Sequence, residues 1–321
     1  MKAVQYFTYG SPEKLQLNDI PVPQPQKGEV RIRLKAAAVN SWDWDRLTGK
    51  PWLYRVASGW FRPHPSILGC DVAGHIDAVG PECSRFKVGD AVFGDISTVF
   101  GGFAEYVCVP ENAVHPLAVG IDMRTAAALP HTAELAYQSL FVAAKVRPGD
   151  ELLLIGGGGG TGSFAVQFAK NAGAVVTVVD GASKKEAVLS WGADYYMNFR
   201  EENIWKSGKQ FDLIVDMVAQ QSPRRYARIL KNGGQLVVVG GKPGSLLQVV
   251  LWAPFYAKYH NKQLGLLMHQ PNQNLEVIQQ WYTEGRFRAI IAKTYPLEQV
   301  PQALKELNQA ELVGKLVIKI A

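Results

Sequence analysis

Five consecutive glycines, residues 156–160, lie in the run LLLIGGGGGTGSFAVQFAK at positions 152–170. Within it Gly157, Gly159 and Gly162 fit the spacing G-x-G-x-x-G. The chemistry this spacing serves is the cradling of a pyrophosphate. One glycine makes a tight turn, one lets backbone approach the phosphates, and one lets a helix pack on a strand. Gly160 and Thr161 fall at the start of the following segment, where a helix offers unpaired N–H groups and its positive dipole end to an anion. A second set follows at Asp180-Gly181-Ala182-Ser183-Lys184-Lys185. An acidic residue there suits the ribose hydroxyls of NAD, and basic residues suit the 2′-phosphate of NADP. Asp180 repels a phosphate unless its carboxylate turns away and Lys184 or Lys185 pairs with it. The reading leans to NADP, with NAD as the alternative.

These residues need particular elements to hold them. Residues 152–155 are apolar and of the length of a buried parallel strand, and Phe164, Ala165, Phe168 and Ala169 recur at helical offsets. The glycines therefore fall on a strand-to-helix turn. Residues 174–179 form a β-branched strand ending at Asp180, and residues 184–191 are helical. Strands at 212–216 and 235–240, with a helix at 224–230 between them, continue the alternation. Such alternation with short loops means a parallel sheet covered on both faces. The first part of the chain differs. Alternating segments at 2–7, 16–20, 29–37, 71–79, 91–94 and 101–110, punctuated by glycine and proline, predict a small β barrel. Helical patterns at 125–129 and 133–145 lead into the central strand. Helices at 275–284 and 300–310 and a strand at 315–320 close the chain.

Composition sets the outer bounds. With 321 residues, 47% apolar and 19% charged, the chain has the size of two domains and an ordinary globular balance. The apolar run at 246–257 is interrupted by Gln248 and Pro254 and is too short to span a bilayer. The opening MKAVQYFTYG lacks the apolar core of a signal peptide, so a cytoplasmic protein is expected. Cys70, Cys83 and Cys108 form no C-x-x-C pair, and six scattered histidines give no metal spacing. A formal charge of +6 raises nucleic acid as a partner. The basic residues are spread along the chain, however, which favours solvated faces and an anionic cofactor over nucleic acid.

Several strings together resemble the medium-chain dehydrogenase/reductase superfamily, most closely its zinc-free quinone oxidoreductase branch. They are VNSWDWD (39–45), LGCDVAG (68–74), VGDAVFG (88–94), GGFAEY (101–106), ALPHTAELAYQSL (128–140) and the glycine loop. GADYYMNF (192–199), FDLIVDMV (211–218), MHQPNQNL (268–275) and GKLVIKI (314–320) complete the set. The resemblance implies an α/β fold in which a doubly wound Rossmann parallel sheet is inserted into a GroES-like β-rich catalytic domain. The boundaries read as 1–122 plus 265–321 for the catalytic domain and 123–264 for the Rossmann domain. It implies NAD(P)H-dependent hydride transfer to a quinone or an activated alkene (an enal or enone). A zinc-free alcohol or aldehyde reductase and a nucleotide-fold RNA-binding or structural protein are the alternatives. A homodimer with a small apolar carbonyl or quinone substrate, and no membrane partner, is expected.

Residue by residue, the resemblance implies the following. The zinc alcohol dehydrogenases of the superfamily carry a cysteine ligand where this chain has Asn40, and the histidine of G-H-E where it has Cys70, so no metal is expected. Asn40 and Asp43 are placed beside nicotinamide and substrate. There Asn40 either donates to a developing oxyanion or, with Asp43, holds its loop by bonds to backbone. Tyr54, Trp42, Trp60 and Phe61 either wall a flat substrate or fill the core or cover a loop. Tyr54, His131 or solvent supplies a proton, with a satisfied core role the better reading of His131. Leu135 stands where the family commonly has a threonine for the carboxamide, which leaves Thr132 as the substitute. Lys184 matches the branch's phosphate-binding lysine. Val218, Gly240 and Met268 complete the cofactor contacts.

Overall fold

The computed structural model describes residues 1–309 and 311–320. The side chains of Leu53, Tyr54 and Ala57 also lie outside the described set, the candidate Tyr54 among them. The chain divides into two units, one of Met1–His131, Pro271–Gln280 and the stretch from Ile291 onward, the other of Thr132–Gln270 and Trp281–Ile290.

The first unit opens with β1 (Lys2–Gln5) and β2 (Gln16–Asp19), an antiparallel pair. The long strand β3 (Glu29–Val39) follows, then α1 (Ser41–Thr48), which overlaps the VNSWDWD string, and α2 (Leu53–Ser58). The strands β4 (Asp71–Val79), β5 (Ala91–Asp95), β6 (Tyr106–Pro110) and β7 (His115–Pro116) precede α3 (Met123–Ala128) and α4 (Pro130–Tyr137), which belongs to the second unit from Thr132 on. β3 changes texture along its length: Val30, Ile32 and Leu34 alternate inward, and then Ala36 to Val39 are all buried. The second half is covered on both faces because α3 packs on β3, β4 and the last strand of the chain. Ala36, Ala38 and Ala73 share that face by register, and their small side chains admit the helix. This packing puts residues 123–131 in the first unit, nine positions beyond the sequence boundary at 122.

In the second unit β8 (Glu151–Ile155), α5 (Gly160–Asn171), β9 (Val175–Asp180), α6 (Lys185–Ser190) and β10 (Tyr195–Asn198) lead to β11 (Phe211–Asp216). α7 (Pro223–Ile229), β12 (Leu230–Val238), α8 (Pro243–His260) and β13 (Gln263–Leu266) complete it. Its six-stranded sheet runs β10-β9-β8-β11-β12-β13, parallel throughout, the doubly wound order. Leu152, Leu153 and Leu154 are fully buried in the central strand, as a sheet with helices on both faces requires. Residues 281–290 join this unit for an aromatic reason. Phe168 of α5 meets Trp281 at 5.5 Å and Phe287 at 4.9 Å, and Gln167 exchanges hydrogen bonds with the Arg288 backbone.

The chain returns to the first unit through α9 (Leu275–Thr283), whose last residues leave it, then β14 (Ile291–Pro296), α10 (Val300–Leu307) and β15 (Lys315–Lys319). β15 pairs antiparallel with β3 and closes a sheet ordered β14-β15-β3-β4-β5-β7, with β6 also on β3. Among the described residues no helix is long and apolar enough to cross a membrane.

Candidate functional site

The glycine loop sits where β8 ends, next to β11, at the point where strand order reverses and doubly wound sheets bind ligands. Each glycine has a separate physical reason. A Cβ on Gly162 would overlap the carbonyl carbon and oxygen of Gly157, so helix and loop meet there backbone to backbone. A Cβ on Gly157 would lie 2.7 Å from Val178. Gly156 has φ +81° and lies under Val218, whose Cγ2 would be 2.8 Å from a Cβ there. Gly159 caps α5 with extended backbone, and its nearest neighbour to a Cβ is 4.0 Å away. The N–H groups of Gly160, Thr161 and Gly162 stand in the first turn, without partners inside the helix. The open side of Gly159 beside these donors fits a pyrophosphate.

Asp180 is turned into this loop. Its Oδ2 accepts the Gly158 N–H at 2.8 Å and its Oδ1 accepts the Gly181 N–H at 2.7 Å. Lys184 Nζ lies 3.4 Å from Oδ1, and the lysine is only 8% exposed, its Cβ 2.8 Å from where a Gly158 Cβ would stand. The acid and the base that compete for the ribose end are thus ion-paired under the loop, while Ser183 and Lys185 are exposed beside them. On the other side Asp216 Oδ1 accepts from Val218 N and Ala219 N at 2.7 and 2.8 Å, and Tyr226 Oη donates to its Oδ2 at 2.6 Å. Asp216 fixes the turn that presents Val218. Sequence reading missed it, although an aspartate ending an apolar strand was the available signal. Gly240 has no atom within 4 Å of a Cβ, Met268 is 77% exposed and Thr132 is buried.

The first unit holds a buried polar cluster. Asn40 ends β3 and precedes α1; its N–H donates to Asp43 Oδ2 at 2.8 Å, while Gly69 N donates to Asp43 Oδ1 at 2.8 Å. Asp43 is fully buried, and its two oxygens tie the α1 entry to the loop before β4. Burial pushes its pKa up to about 7, against the two N–H groups that favour the carboxylate. Lys315 of β15 donates from Nζ to Asn40 Oδ1 at 2.6 Å, which orients the amide so that Nδ2 faces Asp71 Oδ2 at 2.9 Å and Cys70 Sγ at 3.2 Å. The Asn40 donors therefore point into the domain. Asp71 Oδ1 accepts the His131 N–H at 2.9 Å, and His131 Nδ1 lies 2.9 Å from Asp95 Oδ2. Burial opposes protonation of His131, but the Asp95 hydrogen bond and charge outweigh it and raise its pKa. Trp42 lies against the His131 ring at 5.2 Å, and Trp60 and Phe61 are exposed.

Residues 26–119 match the alcohol dehydrogenase GroES-like domain, and residues 191–318 match the zinc-binding dehydrogenase family. The quinone oxidoreductase of Pongo abelii is 30% identical over 99% of this chain and 97% of its own length. A 2-methylene-furan-3-one reductase of Solanum lycopersicum is 34% identical over 99% of this chain and 79% of its own. The chain belongs to the medium-chain dehydrogenase/reductase superfamily, in its quinone oxidoreductase branch. Among solved structures the quinone oxidoreductase from Coxiella burnetii aligns with a TM-score of 0.88, at 26% identity, over 100% of this chain and 99% of the other.

The superfamily's zinc can be tested against this chain's own donors. Cys70, Asp71 and Asp95 bring ligand atoms within 4.8 Å of one another. The Lys315 ammonium, 98% buried, already places a positive charge among them, 3.4 Å from Asp71 Oδ2. Burial pushes the Cys70 thiol well up, away from the thiolate that zinc binds. Asp95 is taken by His131 and by Ser97 N at 2.8 Å. This donor set does not fit zinc. Lys315 was legible only as part of a matching string; the signal for its role was a lysine inside an otherwise buried strand.

Proposed function

We propose that the chain is a zinc-independent, NADPH-dependent reductase of quinones or of double bonds activated by a neighbouring carbonyl. The observation that carries the reading is a pyrophosphate cradle, formed by Gly157 to Gly162, in a chain whose zinc position is filled by the Asn40–Lys315–Asp71 cluster. The names of its relatives supply the substrate class. A bound dihydronicotinamide supplies a hydride, and the protein supplies binding, orientation and exclusion of water. Without a Lewis acid, the acceptor must itself be electron-poor, which favours quinones and enones over simple aldehydes. The α5 first turn holds the pyrophosphate. Asp180 braces the loop through Gly158, and Lys184 offsets its charge so that a 2′-phosphate is tolerated beside Ser183 and Lys185. Solvent supplies the proton.

A steady-state screen of quinones, enones and aldehydes with NADPH and NADH tests the reading. Turnover of a quinone or enone with NADPH, insensitive to chelator and to added zinc, is expected; turnover of aldehydes alone would overturn it. Cofactor choice is tested separately. Lys184→Ala leaves the Asp180 carboxylate uncompensated beside the 2′-phosphate, so it should weaken NADPH about tenfold or more and leave NADH nearly unchanged. Asp180→Ser should shift preference further toward NADPH. Equal affinities for the two cofactors, unaltered by Lys184→Ala, would leave Asp180 as an NAD-selecting residue.

A further inference from the structure

The chain leaves the second unit's sheet through a short segment that is gripped from one side. Leu267 N donates to Val238 O at 2.8 Å, so the backbone still follows the sheet one residue past β13. Met268, His269 and Gln270 then run without regular structure, and this stretch of the unit ends at Gln270. Such a segment is costly to order, because every residue fixed gives up backbone entropy. Two buried side chains from the same unit meet it. Glu134 and Gln138 are four residues apart, on one helix face, and are 0% and 3% exposed. Gln138 grips Gln270 at both of its backbone groups: Nε2 donates to Gln270 O at 2.8 Å, and Oε1 accepts from Gln270 N at 3.0 Å. One turn earlier, Glu134 Oε2 lies 3.7 Å from His269 Nε2. The helix passes from α to π at Gln138, an irregularity that collects at functional sites.

Met268 stands between these ties, its side chain 77% exposed. The order of the sheet says which part of a dinucleotide comes there. The glycine loop ends β8, and the Asp180–Lys184 pair at the ribose end follows β9, on one side of it. The adenosine half belongs to that side. The nicotinamide half then runs the other way, over the carboxyl ends of β11, β12 and β13. Met268 lies two residues beyond the last of these. On the reading that the glycine loop holds NADPH, we propose that Gln138 is a positioning residue: its grip on Gln270 holds Met268 as a wall for the nicotinamide ring. A wall ordered in advance spares the bound cofactor the entropy of ordering it.

Calorimetric titration of the full chain with NADPH and with 2′,5′-ADP, which carries the adenosine half alone, tests this. Gln138→Met keeps the length of the side chain and loses both hydrogen bonds. It should weaken NADPH about tenfold, the net worth of roughly one hydrogen bond, and leave 2′,5′-ADP nearly unchanged. Met268→Ala, at an exposed position, should show the same selectivity. In the Gln138→Met background it should add little, because the wall is already out of place. Should Gln138→Met fail to fold, Gln138→Glu, which keeps the acceptor and loses the donor, reads the same selectivity. Equal weakening of NADPH and 2′,5′-ADP, additive losses in the double variant, or NADPH affinity unaltered by the single changes would each overturn the proposal. A wild-type chain that binds neither ligand would overturn the glycine-loop reading, and this proposal with it.

Discussion

Two glycines of one loop are expected to fail in different ways. Gly162→Ala forces a Cβ into the Gly157 carbonyl, and neither partner is a flexible side chain. It should cost about 1–3 kcal/mol or more of stability through overpacking, read as a lower urea midpoint. Gly159→Ala meets nothing nearer than 4.0 Å. It should fold as the wild type and lose cofactor affinity at least tenfold, because the added methyl stands where the phosphates approach; unchanged affinity in a titration would remove Gly159 from the cradle. Lys315 gives a third contrast. Lys315→Met leaves Asp71 as an uncompensated buried charge, which should cost about 3–5 kcal/mol, and adding Asp71→Asn should recover much of the loss. Full additivity of the two changes would show that the 3.4 Å pair is not coupled. The glycine roles were legible in sequence, since spacing and neighbouring strand and helix prescribe them. The Lys315 contact joins positions 275 residues apart, which no local pattern carries.

At the scale of elements, the glycine-loop strand and helix were readable because their apolar positions face a core, with period set by the element. Two kinds of element escaped. α1 is short and half polar, and what holds it is the Asp43 bond to Asn40 N together with Gly49, at φ +59°, ending it. α8 puts Leu247, Leu251, Phe255 and Tyr259 outward, so its apolar residues do not single out a buried face and the sequence shows only an apolar run. The predicted helix over 133–145 is α to Tyr137 and π from Gln138 to Ala143. The first turn of α4, which holds His131, carries a pH dependence. His131 has a raised pKa in the fold, so its contribution to stability is fully present below the unfolded value, about 6.5, and is lost as pH rises through the folded value. Asp43, raised to about 7, acts in the same direction: the fold holds its proton more tightly than the unfolded chain, so stability falls between about pH 4, the unfolded value, and pH 7. Above about pH 8.5, the unfolded thiol value, Cys70 and Cys108, both raised by burial, add to the decline. His131→Gln, whose amide can still donate to Asp95, should flatten the part of the decline in urea midpoint that sets in above about pH 6.5, the unfolded histidine value. An unchanged slope would locate the titration elsewhere.

At the scale of the whole molecule, one face of the second unit has no internal partner among the described residues. β13 is an edge strand, paired among the described residues only with β12, and α8 packs against it. Along α8 the side chains of Leu247, Leu251, Phe255 and Tyr259 follow one another at intervals of four and are each at least 40% exposed. Val250 and Trp252 widen the stripe. Monomers seldom expose so continuous an apolar surface, and an open strand edge invites pairing with another chain. A second copy of this chain satisfies both at once, because a two-fold axis beside β13 sets edge against edge and brings each α8 to the same interface. We therefore propose a homodimer closed through β13 and α8. Sedimentation equilibrium at micromolar concentration should give the mass of two chains. Leu251→Glu with Phe255→Glu should shift the equilibrium to monomer, since two buried carboxylates at a self-complementary interface become four across the axis. The same variant should keep its cofactor affinity, because the glycine loop uses no α8 side chain. A wild-type chain that sediments as a monomer would refute the interface, and a dimer indifferent to both substitutions would place it on another face.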